Sequence, residues 1–521
     1  MTATSPAGAR AHPGAPADPS TNPPTGEAVP LSAALASWAR SVTLADIPPA
    51  TLAAARSQLV SNLAAVRASM AHPVGRGLVA AFGPPLQADP GRSAYVLSAL
   101  ATALDFDEVA YSGHVSAGAV NVAVAEAIAL GLDGGSLLTT QVAANECAAR
   151  ISAATILSPF FRGQTNTHCH LAAAASARLH ARGASQPEWV AALGLALGVL
   201  AVPLHHGVVT SDVKAFTAAA PVRLALDACD AASAGLAGSP TILEDPEGLL
   251  AHLSAVPLPD AVVAGLGTRW HTDTLTYKRF PGSAYLHAAV DCAESLRRAL
   301  GPLDVREVER VVVHGSLLTW QLERKVAPHL RGPRTGMPAA TLSVGYAVAT
   351  MLLTGGFGPD DLHGAALADP LRWELAAKVV VEHDWRLSER MARATSPLGE
   401  ALRQAGDRAR TWPDLLAWGE AATSLLAGLG APETTFAEAT MAIGARVEVE
   451  LAGGGAAAEE SGSAIGAAGP ATRRDHRAIV GRKFLDAGGT PEALAGLERL
   501  DLLDAGESAR VLAAALSPAD R

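Results

Sequence analysis

Acids, histidines and lysines, the side chains that move protons and hold anions, gather in four short segments of an otherwise apolar sequence. The first is Asp105-Phe106-Asp107-Glu108, followed by Ser112-Gly113-His114-Val115-Ser116. It falls between two predicted helices, where a loop can aim side chains into a cleft. The second runs from Arg162-Gly163-Gln164-Thr165-Asn166-Thr167 through His168-Cys169-His170 and leads directly into Ala172 to Ala175. The third, Ser211-Asp212-Val213-Lys214, opens the stretch through Ala218-Ala219-Ala220, and the fourth is Lys278-Arg279-Phe280-Pro281 with His287 and Asp291 behind it. Histidine, with an unperturbed pKa of ~6.5, suits proton transfer near neutral pH. Lysine suits the binding of carboxylates and the stabilisation of developing negative charge.

Each of these residues also has a plainer reading. Asp105 has the chemistry of a helix cap or turn aspartate. His114 and His287 read equally as hydrogen-bonded structural histidines, Lys214 and Lys278 as solvated lysines, and Arg279 as a surface charge. His205-His206 precede a turn and read as structural. His168-Cys169-His170 would suggest a metal only on a strand, where both imidazoles share a face; on a helix they diverge. No second ligand pair accompanies them, so a zinc site is not expected. Cys147, Cys169, Cys229 and Cys292 form no CxxC pair, which argues against structural zinc and iron–sulfur clusters and fits a reducing cytoplasm. Gly453-Gly454-Gly455 lacks the lysine and the strand–helix context of a phosphate loop.

The elements that must position these residues are mostly helical. Asp46-Ile47-Pro48-Pro49 reads as a helix start, and Leu52, Leu59, Leu63, Val66 and Met70 then fall on one stripe. Ala-rich helical stretches follow over 93–105, 117–131, 137–157, 171–182, 187–202 and 217–235. After about residue 270 the texture changes. Glu309 to His314, with Val311-Val312-Val313, and the alternating Arg446 to Leu451 read as strands, with helices at 339–355 and 415–428 near them. The pattern predicts a mostly α chain: a disordered tail over 1–30, a large all-helical domain over 31–270 and a smaller α+β domain over 271–455. Residues 456–480 read as a flexible loop, and 481–521 as a segment returning to the helical domain.

Composition narrows the function. The chain has 521 residues, 49% hydrophobic and 17% charged, with a formal net charge of −10 and no basic tract, so neither nucleic acid nor an anionic membrane is an expected partner. The first 30 residues lack the apolar run of a signal peptide. The most apolar stretch, Trp189 to Leu204, falls short of the ~20 residues of a membrane span. An acidic protein that binds an anion must gather its few cations locally.

Taken in order, the polar segments resemble the MmgE/PrpD family of 2-methylcitrate dehydratases and cis-aconitate decarboxylases. The family carries an Asp-Phe-Asp-Asp-Thr run, a later His and an apolar helix; here stand Asp105-Phe106-Asp107-Glu108-Val109, His114 and the stretch from Ala117 through Glu126. Its Glu-x-x-x-Arg-Ile pattern is similar to Glu146 to Ile151, and its Lys ahead of an Ala-Ala helix to Lys214 before Ala219-Ala220. Its Lys-x-Tyr/Phe-Pro, His and Asp look like Lys278, Phe280, Pro281, His287 and Asp291, with a weaker likeness near Lys483-Phe484. Val109 stands where the family has Thr, and Gln164 or Asn166 where it has His.

The resemblance implies a smaller lid domain over the helical one, an active site in the cleft between them, a homodimer, and no metal or organic cofactor. It implies a lyase acting on a di- or tricarboxylate, first of all dehydration of a 2-methylcitrate-like hydroxy acid. Decarboxylation of cis-aconitate, isomerisation or epimerisation of a diacid, and a catalytically weak binding paralogue are the other readings. In the leading one, Lys214 and Lys278 hold carboxylates and meet developing negative charge, His114 and His287 move protons, Asp105 orients a histidine or a hydroxyl, and Gln164 and His168 contact substrate.

Overall fold

A computed structural model describes residues 29–111, 113–158, 167–201, 203–416 and 418–517. The chain is mostly α, with small sheets. The central helix, α1 (Pro49–Ala71), starts with proline in its first turn, as the sequence predicts. It is not a one-stripe helix, however: residues 57–69 are buried on every side. Its buried Gln58 is satisfied internally. Gln58 Nε2 donates to Ser116 Oγ and Asn145 Oδ1, both at 3.0 Å, and Gln58 Oε1 accepts from Gln141 and Asn145 at 2.7 Å.

Around α1 pack α2 (Pro90–Ala103), α3 (Ser116–Leu130), α4 (Gly134–Thr155), α5 (Thr167–Ala181) and α6 (Phe216–Ser233). Asp89 and Asp133 cap α2 and α4 by accepting from Gly91 N at 2.8 Å and Ser136 N at 2.7 Å. The alanines set the spacing. A Cβ added to Gly118 of α3 would lie 2.5 Å from Ala173 Cβ of α5, so these two helices approach as closely as small residues allow. No described helix is long and apolar enough to cross a membrane.

A second core forms on a four-stranded sheet. The strands are β3 (Val308–Gly315), β4 (Val379–His383), β5 (Ala445–Leu451) and β6 (Gly455–Ser461), in the order β4-β3-β5-β6. β3 pairs parallel with β4 and antiparallel with β5. The helices α7 (His287–Leu300) and α8 (Val344–Thr354) bury Val290 and Ala347 against Val311, Val313, Val447 and Val449. The predicted strands at 309–314 and 446–451 lie within β3 and β5. Between β4 and β5 the chain leaves the sheet, and Met391, Leu398, Trp412 and Leu425 join the large helical core.

Residues 456–480, read from composition as a flexible loop, are ordered. β6 occupies their start and the helix α9 (Pro470–Asp486) their end. β6 is largely exposed on both faces, so its Gly, Ala and Glu residues leave no alternation to read; backbone pairing with β5 holds it. Helix α9 returns to pack on α1, and farther on Leu497, Leu512 and Ala515 are buried in the helical core.

A two-stranded ladder, β1 (Val109–Ala110) with β2 (Leu275–Thr276), ties the loop after α2 to the segment that carries Lys278. That segment is anchored by the Glu-x-x-x-Arg pattern of α4. Glu146 accepts from His271 N at 2.9 Å, Thr272 N at 2.8 Å and Thr272 Oγ1 at 2.9 Å. Arg150 lies 3.5 Å from Glu146 and donates to Ala264 O and Arg269 O at 2.7 Å. Both side chains are fully buried. Glu146→Ala leaves the arginine uncompensated, so a loss of ~3–5 kcal/mol is expected, read as a lower midpoint in urea unfolding.

Candidate active site

The loop between α2 and α3 takes two sharp turns. Asp105 and Tyr111 have φ of 51° and 54°, in the left-handed region. Aspartate tolerates this conformation, whereas a bulky residue needs its surroundings to hold it there. Tyr111 is held: its N–H donates to Thr274 Oγ1 at 2.6 Å, and its ring lies against Phe436 and His271. Gly113 must be glycine, because a Cβ would lie 2.7 Å from Cys169 Sγ.

Three acids of this loop are buried; Asp105 and Glu108 meet lysines from other places in the chain, and Asp107 meets His114 of the loop itself. Asp105 Oδ1 lies 2.9 Å from Lys278 Nζ and 3.3 Å from Lys214 Nζ, and the Asp105 carbonyl also accepts from Lys278 at 2.8 Å. Asp107 Oδ2 lies 2.9 Å from His114 Nδ1. Glu108 Oε1 lies 3.4 Å from Lys483 Nζ of α9. Burial works against the charge on Asp105, but Lys214, Lys278 and His114 together hold its carboxyl well below the usual range. Asp107 is held at about 2, burial being outweighed by the charge and hydrogen bond of His114. For Glu108 burial wins over Lys483, and its pKa is raised.

His114 bridges the first two acids. With Nδ1–H donating to Asp107, Nε2 is the basic nitrogen, 3.8 Å from Asp105 Oδ1. The His114 side chain keeps 18% of its surface open, as does Lys214, while Lys278 is buried. His114 lines a cavity of about 130 Å³ together with Val109, Tyr111, Ser283, Tyr285 and Leu318. Donor atoms of Asp105, Asp107 and His114 lie within 4.8 Å of one another, a spacing that could suit a metal ion. Asp105 Oδ1 already faces two ammonium groups, which supply the positive charge a cation would bring.

The other sequence candidates fall outside this group. His168 and His170 sit on α5 and diverge: His168 Nε2 lies 3.1 Å from Thr155 Oγ1, and the His170 ring centroid 6.5 Å from that of His114. Burial pushes them down to about 4 and about 3, so both are neutral. His287, at the start of α7, is buried behind Lys278 with Nε2 unbonded, and shares a small cavity with Lys278 and not with His114. Burial and the Lys278 charge bring it to about 3. Gln164 lies outside the described residues. Sequence reasoning gave no role to Asp107, Tyr285 or Lys483. Asp107 was visible inside its motif, but nothing in spacing linked it to His114 or Lys483 to Glu108.

The comparisons with known proteins bear on the whole chain. No curated protein matches it. Residues 33–260 match the model of the MmgE/PrpD N-terminal domain, and residues 280–410 that of the MmgE/PrpD C-terminal domain. The first match takes in the acid-rich loop and Lys214; the second starts just after Lys278 and takes in β3 and β4. With well over half of its residues so matched, the chain belongs to the MmgE/PrpD family.

Proposed function

We propose that this chain is a lyase that removes water from a 2-methylcitrate-like hydroxy-tricarboxylate by acid–base catalysis. Family membership supports an enzyme of the dehydratase type in general. The observation that carries the finer reading is the His114 imidazole, fixed by Asp107 at Nδ1 and open at Nε2 beside a carboxylate with two lysines.

In this reading Nε2 accepts the proton from carbon next to a substrate carboxylate, and the C–H electron pair forms the double bond as the C–O bond breaks. The departing hydroxide leaves as water, with a proton from a donor in the same cavity. Tyr285 is such a donor: burial pushes its phenol up to about 12, so it keeps its proton at neutral pH. Lys214, partly open, meets the substrate carboxylate as charge develops on it. Lys278, buried against Asp105, keeps that aspartate ionised and Lys214 in register. His287, buried and neutral, lies away from the His114 cavity and acts as packing behind Lys278.

One assay panel tests the reaction. Purified protein is given 2-methylcitrate, citrate and cis-aconitate, and unsaturated product and carbon dioxide are followed separately. Unsaturation without gas is the expected result; gas from cis-aconitate makes the chain a decarboxylase, and no product from any of the three overturns both. His114→Ala should lower kcat by at least ~10²-fold with the circular-dichroism spectrum unchanged; near-normal turnover removes His114 from the mechanism.

The Asp107–His114 pair also sets a pH dependence of stability. Asp107 is held at about 2 in the fold, against ~3.9 when unfolded. Its contribution, roughly 2–3 kcal/mol, is fully present above the unfolded value and is lost as pH falls towards the folded one. Asp107→Asn lacks that contribution, so the gap between the melting temperatures of wild type and variant should narrow from pH 5 to pH 2. A constant gap would show that the pair does not hold the proton off Asp107.

A further inference from the structure

Two successive backbone carbonyls of the acid-rich loop accept hydrogen bonds from buried ammonium groups. Asp105 O takes one from Lys278 at 2.8 Å, and Phe106 O takes one from Lys483 at 2.7 Å. The first lysine belongs to the site already described. The second comes from α9 and does not line the His114 cavity.

Lys483 is unusually committed for a lysine. Its side chain is only 3% exposed. Besides Phe106 O, its ammonium group donates to Ser61 Oγ at 2.8 Å, lies 3.4 Å from Glu108 Oε1, and sits 4.0 Å above the centre of the Phe106 ring. It reaches this place because α9 presents one face to α1. His476, Val480, Lys483 and Phe484 recur at helical spacing, with Ser57 Oγ 2.6 Å from His476 Nδ1 and Arg67 over the Phe484 ring. Burial lowers the Lys483 pKa to about 8, with Glu108 opposing, so the group is charged at neutral pH.

We infer that Lys483 is a positioning residue for the acid–base loop, acting through the Phe106 peptide. That peptide leads into Asp107, and the one before it starts from Asp105, whose φ is 51°. Its orientation decides whether Asp105 faces Lys214 and Lys278 while Asp107 faces His114. Lys278 fixes the carbonyl before it and Lys483 fixes its own carbonyl, so the backbone that aims the two carboxylates cannot turn without breaking a charged hydrogen bond. The inference rests on the reading of the Asp105–His114 loop as catalytic.

The test separates positioning from mere stability. Lys483→Met leaves Glu108 buried without its cation, so it lowers the melting temperature. The double variant Glu108→Gln/Lys483→Met removes both charges at similar volume and should recover most of the melting temperature, but it still lacks the bond to Phe106 O. On the substrate identified by the panel, the double variant should lose ~10²-fold in kcat while KM stays within about 3-fold, because Lys214 and Lys278 are intact. Amide exchange at Ala110 and Tyr111, which donate to Gly113 O and Thr274 Oγ1 in the wild type, should quicken in the double variant by at least ~10-fold, the signature of local opening. A double variant that recovers kcat along with melting temperature overturns the inference, as does unchanged exchange at these two amides. If the wild type turns over none of the panel while the loop amides still quicken, the proposed reaction fails and the positioning stands.

Discussion

Three acids within four residues are buried in one loop, and a buried carboxylate without a partner costs several kcal/mol. That constraint shapes the rest of the structure. The partners cannot come from the loop itself, apart from His114, because its remaining side chains are apolar or small. They arrive from Lys214 ahead of α6, from Lys278 after β2 and from Lys483 in α9. Each arrival requires an element to be placed: the Glu146–Arg150 pair anchors the segment leading to Lys278, and the packing of α9 on α1 brings in Lys483. The outcome is a loop held in an uncommon backbone conformation by charge–charge contacts on several sides, with one imidazole nitrogen left open to the cavity.

The helical scaffold suits this work because it is stiff. Close crossings such as that of α3 and α5 at Gly118 and Ala173 leave little room for rearrangement. The polar network around Gln58 satisfies buried amides inside the same core, which fixes helix register as well as packing. Burial keeps His168, His170 and His287 neutral, so the histidine partly open to the cavity stands in a field set by lysines and carboxylates.

Much of this was legible in the residues. Proline and acidic start signals, the Ala-rich texture and the Val-rich runs located most of the long helices of the helical domain and two strands, because those signals are local. The segments carrying Asp105, His114, Lys214 and Lys278 stood out as polar islands in apolar surroundings, and the fold brings these four side chains together. His287 and His168 also stood out, but burial without a charged partner sets them apart, and spacing carries no information about burial. β6 was hidden because an exposed edge strand has no apolar alternation, and Lys483 was hidden because its partners lie 375 and 377 positions away in sequence.

That last separation has a consequence for assembly. During synthesis the loop residues emerge long before α9 does. Closing the core over Glu108 before residues near 483 are present would cost either a stranded charge or a proton taken up by the carboxyl. A chain that stopped short of α9 would lack the one ammonium group that faces Glu108 and the Phe106 carbonyl.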